Sequence, residues 1–391
     1  MRPTTGGLDL SKVQRAYGKK DNERYSLQYN QKINEHLKNT FSMYRNNDHL
    51  NDNYTRPTSQ WKMDMSTRGI NDQLTFKDEK NILVGGFDFY KDILNYSYGL
   101  PSYYGDAFSG KKATNRAFYL QDEYSLGGGW NITPGIRYTN SSAGGSKTTK
   151  SIILGYDNKK VNVYAGYKEF FKAPSLYQMY STSVGNPNLK PEKGHTLEAG
   201  INYDFGNQLM ANFNVYKTKA DNMIGYVWVG PGMMDGAYYN TGKEDTNGWS
   251  LGLTKQFDNR WLVSANYTHT SIPAASSTTN ANRDGYIPKG QLNLAVDYTQ
   301  GKFNAGINGR GIFDRPGRKI NESKRPSGLK NFWLFDTYIN YKATENCRVF
   351  LKVNNIFDKW YTDQLYDMDP DSTSWYSAPG RNFQAGLEFT F

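Results

Sequence analysis

The sequence predicts an all-β protein that forms a transmembrane, antiparallel, up-and-down β-barrel. The first observation is an unusual balance: mean hydropathy is −0.78, yet 15% of the 391 residues are aromatic and 31 are tyrosine. A disordered chain is also polar, but it is poor in aromatic residues. The second is that apolar and polar residues alternate along about 17 segments. The third is that no apolar run approaches the roughly 18 to 20 residues that a transmembrane helix needs.

Alternation with a period of two residues is typical of strands with one apolar face. In one C-terminal segment, Leu292, Leu294 and Val296 alternate with Asn293 and Asp297. The sequence predicts strands near residues 23–33, 38–47, 58–77, 81–98, 113–126, 129–141, 149–157, 160–170, 194–205, 208–228, 238–256, 260–271, 287–299, 302–314, 330–342, 346–360 and 380–391.

The links between these segments alternate between short and long, which is typical of a meander that crosses a membrane. A soluble barrel fills its interior with apolar side chains, but about 17 strands enclose a lumen too wide to fill. The apolar face is therefore expected to point outward into lipid, with aromatic residues at the strand ends. A soluble β-sandwich or propeller is the alternative, although no repeat of propeller-blade length is visible.

Other features of the composition narrow the function. The net charge is +10, but the basic residues are scattered, so no nucleic-acid partner is expected. The single cysteine, Cys347, excludes an intrachain disulfide. The histidines are too far apart in sequence to indicate a metal site, and neither a metal nor a cofactor is expected. A formal GxSxG match at 248–252 lies within an alternating strand rather than before a helix, so the sequence does not predict an enzyme.

Two short segments after the eighth predicted strand resemble paired boxes of TonB-dependent outer-membrane receptors. A C-terminal aromatic residue also resembles the signal by which outer-membrane barrels are recognised for assembly. The residues that carry this resemblance are Phe171, Lys172, Ala173 and Pro174 in the first box, Asn186, Pro187, Asn188, Leu189, Pro191 and Glu192 in the second, and the terminal Phe391.

The resemblance implies a receptor in the outer membrane of a Gram-negative (diderm) bacterium that takes up a scarce metal chelate with energy from TonB. Its implied partners are outer-membrane lipid, the chelate, the TonB complex in the full-length receptor, and the barrel assembly machinery. A ferric siderophore is the preferred ligand, because haem receptors of the family carry a histidine between the boxes and none lies between Pro174 and Asn186. A haem or cobalamin receptor and a passive porin-like channel remain open.

The family's barrel has 22 strands and a plug domain that closes its lumen. With about 17 predicted strands and no segment resembling a plug, residues 1–22 are expected to be an N-terminal loop or leader and residues 23–391 the barrel. We therefore expect a C-terminal fragment of a receptor, which would not perform active transport alone.

The two boxes are expected to be structural, because proline fixes φ and removes a donor and asparagine favours turns. Ligand contacts are expected from loop aromatic rings that can stack on a flat chelate and from arginines that attract an anion. Girdle aromatics and solvated loop charges are the alternative. The candidates are Tyr103, Tyr104, Tyr177, Tyr180, Trp228, Tyr238, Tyr239, Arg315, Arg318, Trp375 and Tyr376.

Overall fold

The computed structural model describes residues 17–53, 60–100, 108–228, 236–271, 287–315, 331–361, 364–365, 375–376 and 378–390. Strands dominate it, and the prediction of an all-β chain is confirmed. The elements in chain order are β1 (Tyr17–Lys32), β2 (Leu37–Asn53), β3 (Gln60–Lys77), β4 (Asn81–Leu100), β5 (Phe108–Gly127), β6 (Trp130–Ser141), β7 (Gly145–Asp157), β8 (Val161–Lys172), α1 (Leu176–Tyr180), β9 (Glu192–Gly206), β10 (Leu209–Asp221), β11 (Ile224–Trp228), β12 (Gly236–Asn240), β13 (Glu244–Phe257), β14 (Trp261–Ser271), β15 (Gly290–Gln300), β16 (Phe303–Phe313), β17 (Phe332–Lys342), β18 (Cys347–Asn354), β19 (Gln364–Leu365), β20 (Trp375–Tyr376) and β21 (Asn382–Phe389).

Seventeen of these strands belong to one sheet, in agreement with the predicted number. The described residues form two compact units: the first lies within 1–155, 166–196 and 219–244, the second within 156–165, 197–218 and 245–391. In the first unit, β1 to β6 pair antiparallel in chain order. In the second unit, β13 to β18 do the same, and β18 pairs with β21. The predicted up-and-down order is confirmed for these strands.

The strands expose their apolar face. In β5, Phe118 and Leu120 are 62% and 50% exposed, whereas Ala117, on the opposite face of the strand, is buried. The same arrangement recurs at the C-terminus, where Phe383 and Leu387 are exposed. An apolar face of this extent is typical of a surface that contacts lipid.

Within the part of the chain that the structure describes, no helix has both the length and the apolar character needed to span a membrane.

Two predicted strands were wrong, because each is interrupted. The predicted strand 208–228 divides into β10 and β11, and 238–256 divides into β12 and β13. Asn222 adopts a φ of 57° after β10, and Gly242 a φ of 106° after β12. Both values break the extended backbone, and asparagine and glycine tolerate them better than other residues. As a result, β11 and β12 leave the large sheet and pair with each other as a hairpin.

Some predicted bounds also differ. The first strand begins at Tyr17, six residues before the predicted start. The strand predicted at 346–360 ends at Asn354, because Asn355 adopts a φ of 51°. The Asn355 N–H donates to Asp336 Oδ1 at 2.7 Å, and its side chain bonds the carbonyl of Lys359 at 2.8 Å. Side-chain bonds of this kind close a turn and end the strand.

Tight turns at one end of the strands share a simple chemistry. Asp78 Oδ1 accepts from the N–H groups of Lys80 and Asn81 at 2.8 and 2.7 Å. These amides, that of Lys80 first, hold the pKa of Asp78 below its ordinary value. Asn34 and Asn158 accept two following amides in the same way. Such Asx turns define where each strand reverses.

Glycines on the polar face of the sheet lie directly opposite aromatic rings of the neighbouring strand. A Cβ added to Gly306, for example, would lie 2.7 Å from the ring of Tyr338. The ring therefore occupies the space that a side chain on the opposite residue would need. The paired positions are Gly69 and Tyr44, Gly86 and Tyr119, Gly306 and Tyr338, and Gly386 and Phe350.

Adjacent glycines in β4 test this packing. We expect Gly86→Ala to lower the free energy of unfolding by about 1–3 kcal/mol, the usual cost of overpacking. The new Cβ would clash with the backbone carbonyl oxygen of Asp72 and would lie 2.7 Å from Tyr119 Oη. Gly85→Ala is the matched control: its Cβ would face the other side of the sheet, and the nearest atom would be Leu120 Cδ1, the end of a side chain, at 3.2 Å. Urea unfolding in phospholipid vesicles measures both. Equal free energies for the two variants would contradict the packing argument.

Candidate functional site

The segment between β8 and β9 is built on the single helical turn α1. Ser175 Oγ accepts from the Gln178 N–H at 3.2 Å, and Gln178 Oε1 accepts from the Ser175 N–H at 2.9 Å. This reciprocal pair is a capping box. Pro174, which precedes the capping box, is buried. Leu176 and Met179 are the buried side chains of α1. The sequence predicts a structural role for this segment but no helix; the Ser-x-x-Gln pattern at 175–178 is the signal for its helical turn.

The second box joins this segment to the β11–β12 hairpin. Asn186 donates its N–H to the Gln178 carbonyl at 2.9 Å and its Nδ2 to the Tyr238 carbonyl at 3.0 Å. The Tyr238 N–H donates in turn to the Val184 carbonyl at 2.9 Å. Asn186 Oδ1 also accepts from the Asn188 N–H at 3.0 Å, which closes the turn at Pro187. One asparagine side chain therefore both shapes the box and holds the hairpin.

Asn240, at the end of β12, makes the reciprocal connection. Its Nδ2 donates to the carbonyls of Lys190 and Asn222 at 2.9 and 2.7 Å, and its Oδ1 accepts from the Lys190 N–H at 2.8 Å. β12 is thus bonded to the second box at two points, near Asn186 through Tyr238 and at Lys190 through Asn240.

Glu192 is the most deeply buried charge in this region, with a side chain that is 6% exposed. One carboxylate oxygen accepts from Lys172 Nζ at 3.0 Å, and the other accepts from the Ile224 N–H at 2.9 Å. A buried carboxylate is stable only with such partners. Glu192 therefore ties together the end of β8, the start of β9 and the start of β11.

Beneath these connections lies a cavity of about 610 Å³, within the range of small-molecule sites. The Tyr177 ring lies 6.3 Å from the rings of both Trp61 and Tyr238 and 6.1 Å from that of Phe108. The cavity is lined by side chains of β2 to β5 together with α1 and β12, prominently Trp61, Met63, Met65, Tyr90, Tyr177 and Tyr238.

The charged groups of the cavity are mainly acidic. Asp48, Asp92 and Lys172 line it, and the ammonium of Lys172 is already paired with Glu192. Asp92 accepts from Thr67 Oγ1 at 2.8 Å and from Asn115 Nδ2 at 3.4 Å. Burial raises the pKa of Tyr238, so this phenol stays neutral at physiological pH. Within the described ranges, no group of three or more histidine, cysteine, aspartate or glutamate side chains is arranged to hold a metal ion.

The structure brings together some of the predicted ligand residues. Tyr177 and Tyr238 line the cavity, as do the box residues Lys172, Ala173 and Pro174. Tyr180 lies under the Lys111 ammonium, which is 4.8 Å from the ring centroid. Tyr239 does not line the cavity and is 42% exposed.

The remaining candidates stay predictions. In the second unit, the buried Arg315 places its guanidinium 4.9 Å from the centroid of the Phe332 ring. Tyr103, Tyr104, Arg318 and Phe391 lie outside the described residues, and only the backbone is described for Trp228, Trp375 and Tyr376.

Sequence reasoning missed the strand residues of the cavity. Trp61, Met63 and Met65 occupy alternate positions of β3 and line it, as does Tyr90 of β4. They were missed because ligand residues were sought in loops. Their signal was large apolar side chains on the face that is polar elsewhere in the sheet.

Comparisons with known proteins agree with this fold. Residues 3–356 match a family model described as TonB dependent receptor-like, beta-barrel. The chain is 25% identical over 266 residues to the vitamin B12 transporter BtuB of Vibrio cholerae serotype O1, covering 67% of this chain and 40% of that protein. It is 23% identical over 286 residues to the probable TonB-dependent siderophore receptor PiuA of Acinetobacter baumannii, covering 63% of this chain and 37% of that protein.

Among solved structures, the chain is similar to a ferric enterobactin receptor mutant, PfeA of Pseudomonas aeruginosa, in complex with enterobactin. The TM-score is 0.74 at 18% identity, and the match covers 96% of this chain and 63% of that chain. This likeness shows the fold. The chain spans about two fifths of the length of the curated relatives named above.

Proposed function

Because the chain belongs to the TonB-dependent receptor-like β-barrel family, we propose that it forms the barrel of a receptor that takes up a scarce metal chelate. The receptor would lie in the outer membrane of a Gram-negative bacterium and use energy supplied through TonB. A ferric siderophore is the favoured ligand, which the names of PiuA and PfeA support. The exposed apolar face of the sheet supports the membrane location.

The observation that carries the proposal is the cavity beneath α1 and the β11–β12 hairpin. Its volume of about 610 Å³ suits a chelate or a large part of one. The rings of Trp61, Tyr177 and Tyr238 offer stacking surfaces to a flat ligand. Two of these three rings are held in place next to the family boxes: Asn186 of the second box bonds the Tyr238 carbonyl, and the capped turn α1, which follows the first box, carries Tyr177.

The charges of the cavity favour an uncharged chelate. Asp48 and Asp92 line it, and the Lys172 charge is balanced by Glu192. A ferric tris-catecholate is trianionic, and repulsion by the carboxylates would oppose its binding. A ferric tris-hydroxamate is uncharged and avoids this repulsion. We therefore favour a hydroxamate siderophore over the anionic chelate that the loop arginines suggested.

Cobalamin is the second candidate, supported by the similarity to BtuB. The corrin ring is flat, and it too can stack on aromatic side chains. It is larger than the cavity, so it would occupy the cavity only in part and would also contact the surrounding loops.

Equilibrium dialysis of the full chain in detergent micelles tests the proposal. The probes are ⁵⁵Fe-loaded ferrichrome, ⁵⁵Fe-loaded enterobactin and ⁵⁷Co-labelled cyanocobalamin. We expect saturable binding of ferrichrome that exceeds binding of ferric enterobactin, and weaker binding when Asp48→Arg closes the cavity with a longer side chain. Preferential binding of cyanocobalamin would replace the first candidate by the second. A folded chain that binds none of the probes contradicts the proposal.

A further inference from the structure

A row of basic side chains crosses three neighbouring strands of the first unit. Arg45 of β2 lies directly opposite Arg68 of β3, and Arg68 lies directly opposite Lys91 of β4. We call these three residues the basic row. Since neighbouring strands are about 4.8 Å apart, the row extends over roughly 10 Å. Lys112 and Arg116 of β5 flank it.

The basic row stands on the exposed, apolar face of the sheet. Toward the tight turns, the next positions on the same face of β2, β3 and β4 are Met43, Ile70 and Phe89. Farther in that direction the face carries Leu74 and Phe76, both exposed. Asp72 and Asn39, whose Nδ2 donates to Asp72 Oδ1 at 2.7 Å, interrupt this surface. Between the basic row and the turns the face is otherwise mainly apolar.

In the opposite direction the face becomes polar. The next two positions of β2 are Asn47 and His49, and His49 Nδ1 lies 2.8 Å from Asp64 Oδ2. On β1, the exposed Tyr25 lies directly opposite Arg45. Tyrosine and basic side chains concentrate at the border between hydrocarbon and headgroups. The basic row therefore marks this border on the first unit.

Like charges directly opposite one another destabilise a sheet. Within the described part of the chain, Arg45, Arg68 and Lys91 form no ion pair with an acidic side chain. Arg45 Nε donates to the neutral Asn47 Oδ1 at 2.9 Å, and Asn47 Nδ2 donates in turn to Glu23 Oε2 at 3.0 Å. Among the described residues, Glu23 is the one carboxylate bonded to this asparagine, so three basic side chains face a single nearby acid. The row therefore keeps a net positive charge at the height of lipid headgroups, where an anionic ligand would relieve the repulsion.

We propose that the basic row binds the phosphate groups of a phosphorylated lipid of the surrounding membrane. This inference rests on the proposed outer-membrane location. Guanidinium groups bind phosphate through paired hydrogen bonds, and the roughly 10 Å row can engage a headgroup with two phosphates, as in lipid A. The acyl chains would then lie along Met43, Ile70 and Phe89.

Native mass spectrometry of the full chain, released from detergent micelles that contain bis-phosphorylated lipid A, tests the inference. We expect retained lipid A and little retained phosphatidylethanolamine. The variant Arg45→Gln/Arg68→Gln/Lys91→Gln should bind lipid A on the order of a hundredfold more weakly, because each basic side chain strengthens binding to an anionic membrane surface roughly fivefold. Unchanged retention would overturn the inference.

The control variant Lys20→Gln/Arg24→Gln/Lys38→Gln removes three exposed positive charges from the other face of β1 and β2. It should retain lipid A as the unaltered chain does; an equal loss would show a response to net charge and overturn the site. Arg45→Lys/Arg68→Lys keeps the charge and should retain most lipid A binding. Binding by this variant would show that the neutral variant fails through loss of charge and not because substitutions at these positions prevent folding.

Two further measurements distinguish lipid binding from binding of free phosphate and from the proposed transport function. Inorganic phosphate at the same concentration should not displace lipid A; displacement would mean that the row binds free phosphate. Ferrichrome binding should be unaffected in the basic-row variant, because Trp61 and Met63 of the cavity lie on the other face of β3. A loss of lipid with ferrichrome binding intact supports the lipid site, whereas absence of ferrichrome binding in the unaltered chain would affect only the proposed transport function.

Discussion

Glu192→Ala is expected to release the β11–β12 hairpin from the segment between β8 and β9, with a local stability loss of about 2–4 kcal/mol. The substitution removes the acceptor of the Ile224 N–H at 2.9 Å and of Lys172 Nζ at 3.0 Å. The exposed Lys172 ammonium can turn to water, but the Ile224 N–H would be left without its acceptor. Hydrogen–deuterium exchange of the peptide around Ile224 measures the opening.

Lys172→Met is the matched control for the other side of the ion pair. The Lys172 side chain is 67% exposed, and water screens such pairs to about 1 kcal/mol or less. Glu192 would lose the Lys172 ammonium but would still accept from the Ile224 N–H, so exchange around Ile224 should increase less than in Glu192→Ala. Glu192→Gln, which keeps an acceptor oxygen, should fall between the two. An equal increase in exchange for Lys172→Met and Glu192→Ala would show that the salt bridge, and not the backbone bond, holds the hairpin.

Tyr177→Ala is expected to weaken binding of an iron chelate such as ferrichrome by about 10- to 100-fold. The Tyr177 ring is packed among Trp61, Phe108 and Tyr238. Its removal takes away a stacking surface and leaves the neighbouring rings less constrained. Equilibrium dialysis gives the affinity, and circular dichroism establishes that the strands remain folded.

Two other tyrosine variants make the effect of Tyr177 specific. Tyr177→Phe keeps the ring and should bind within a few-fold of the unaltered chain. Tyr239→Ala removes an exposed ring of β12 that does not line the cavity and should leave the affinity unchanged. If Tyr239→Ala weakens binding as much as Tyr177→Ala, the cavity is not the ligand site.

The sheet was predictable from the sequence because alternation is a local property. A strand with an apolar and a polar face shows the pattern whatever its neighbours are, so 17 strands could be recognised. The hairpin was not predicted because single residues, Asn222 and Gly242, interrupt two otherwise continuous patterns. Which asparagine or glycine adopts a positive φ depends on tertiary bonds, such as that from Asn240 to the Asn222 carbonyl.

The candidate site was only partly predictable for the same reason. Pro174 and Asn186 indicated a rigid segment, and that much followed from the backbone preferences of proline and asparagine. The partner of Asn186 is Tyr238, 52 residues farther along the chain, and no local pattern connects the two. Trp61 and Tyr90 join Tyr177 only because β3 and β4 are paired beneath α1.

The glycines opposite aromatic rings bear on how accurately the strands assemble. A slip of two residues between β16 and β17 would keep every apolar side chain on the apolar face, so alternation alone cannot reject it. Such a slip would place the Tyr338 ring against Asn304 or Asn308 in place of Gly306, and the side chain there would collide with it. The aromatic–glycine pairs therefore favour the observed register over two-residue slips that hydrophobic sorting alone would accept.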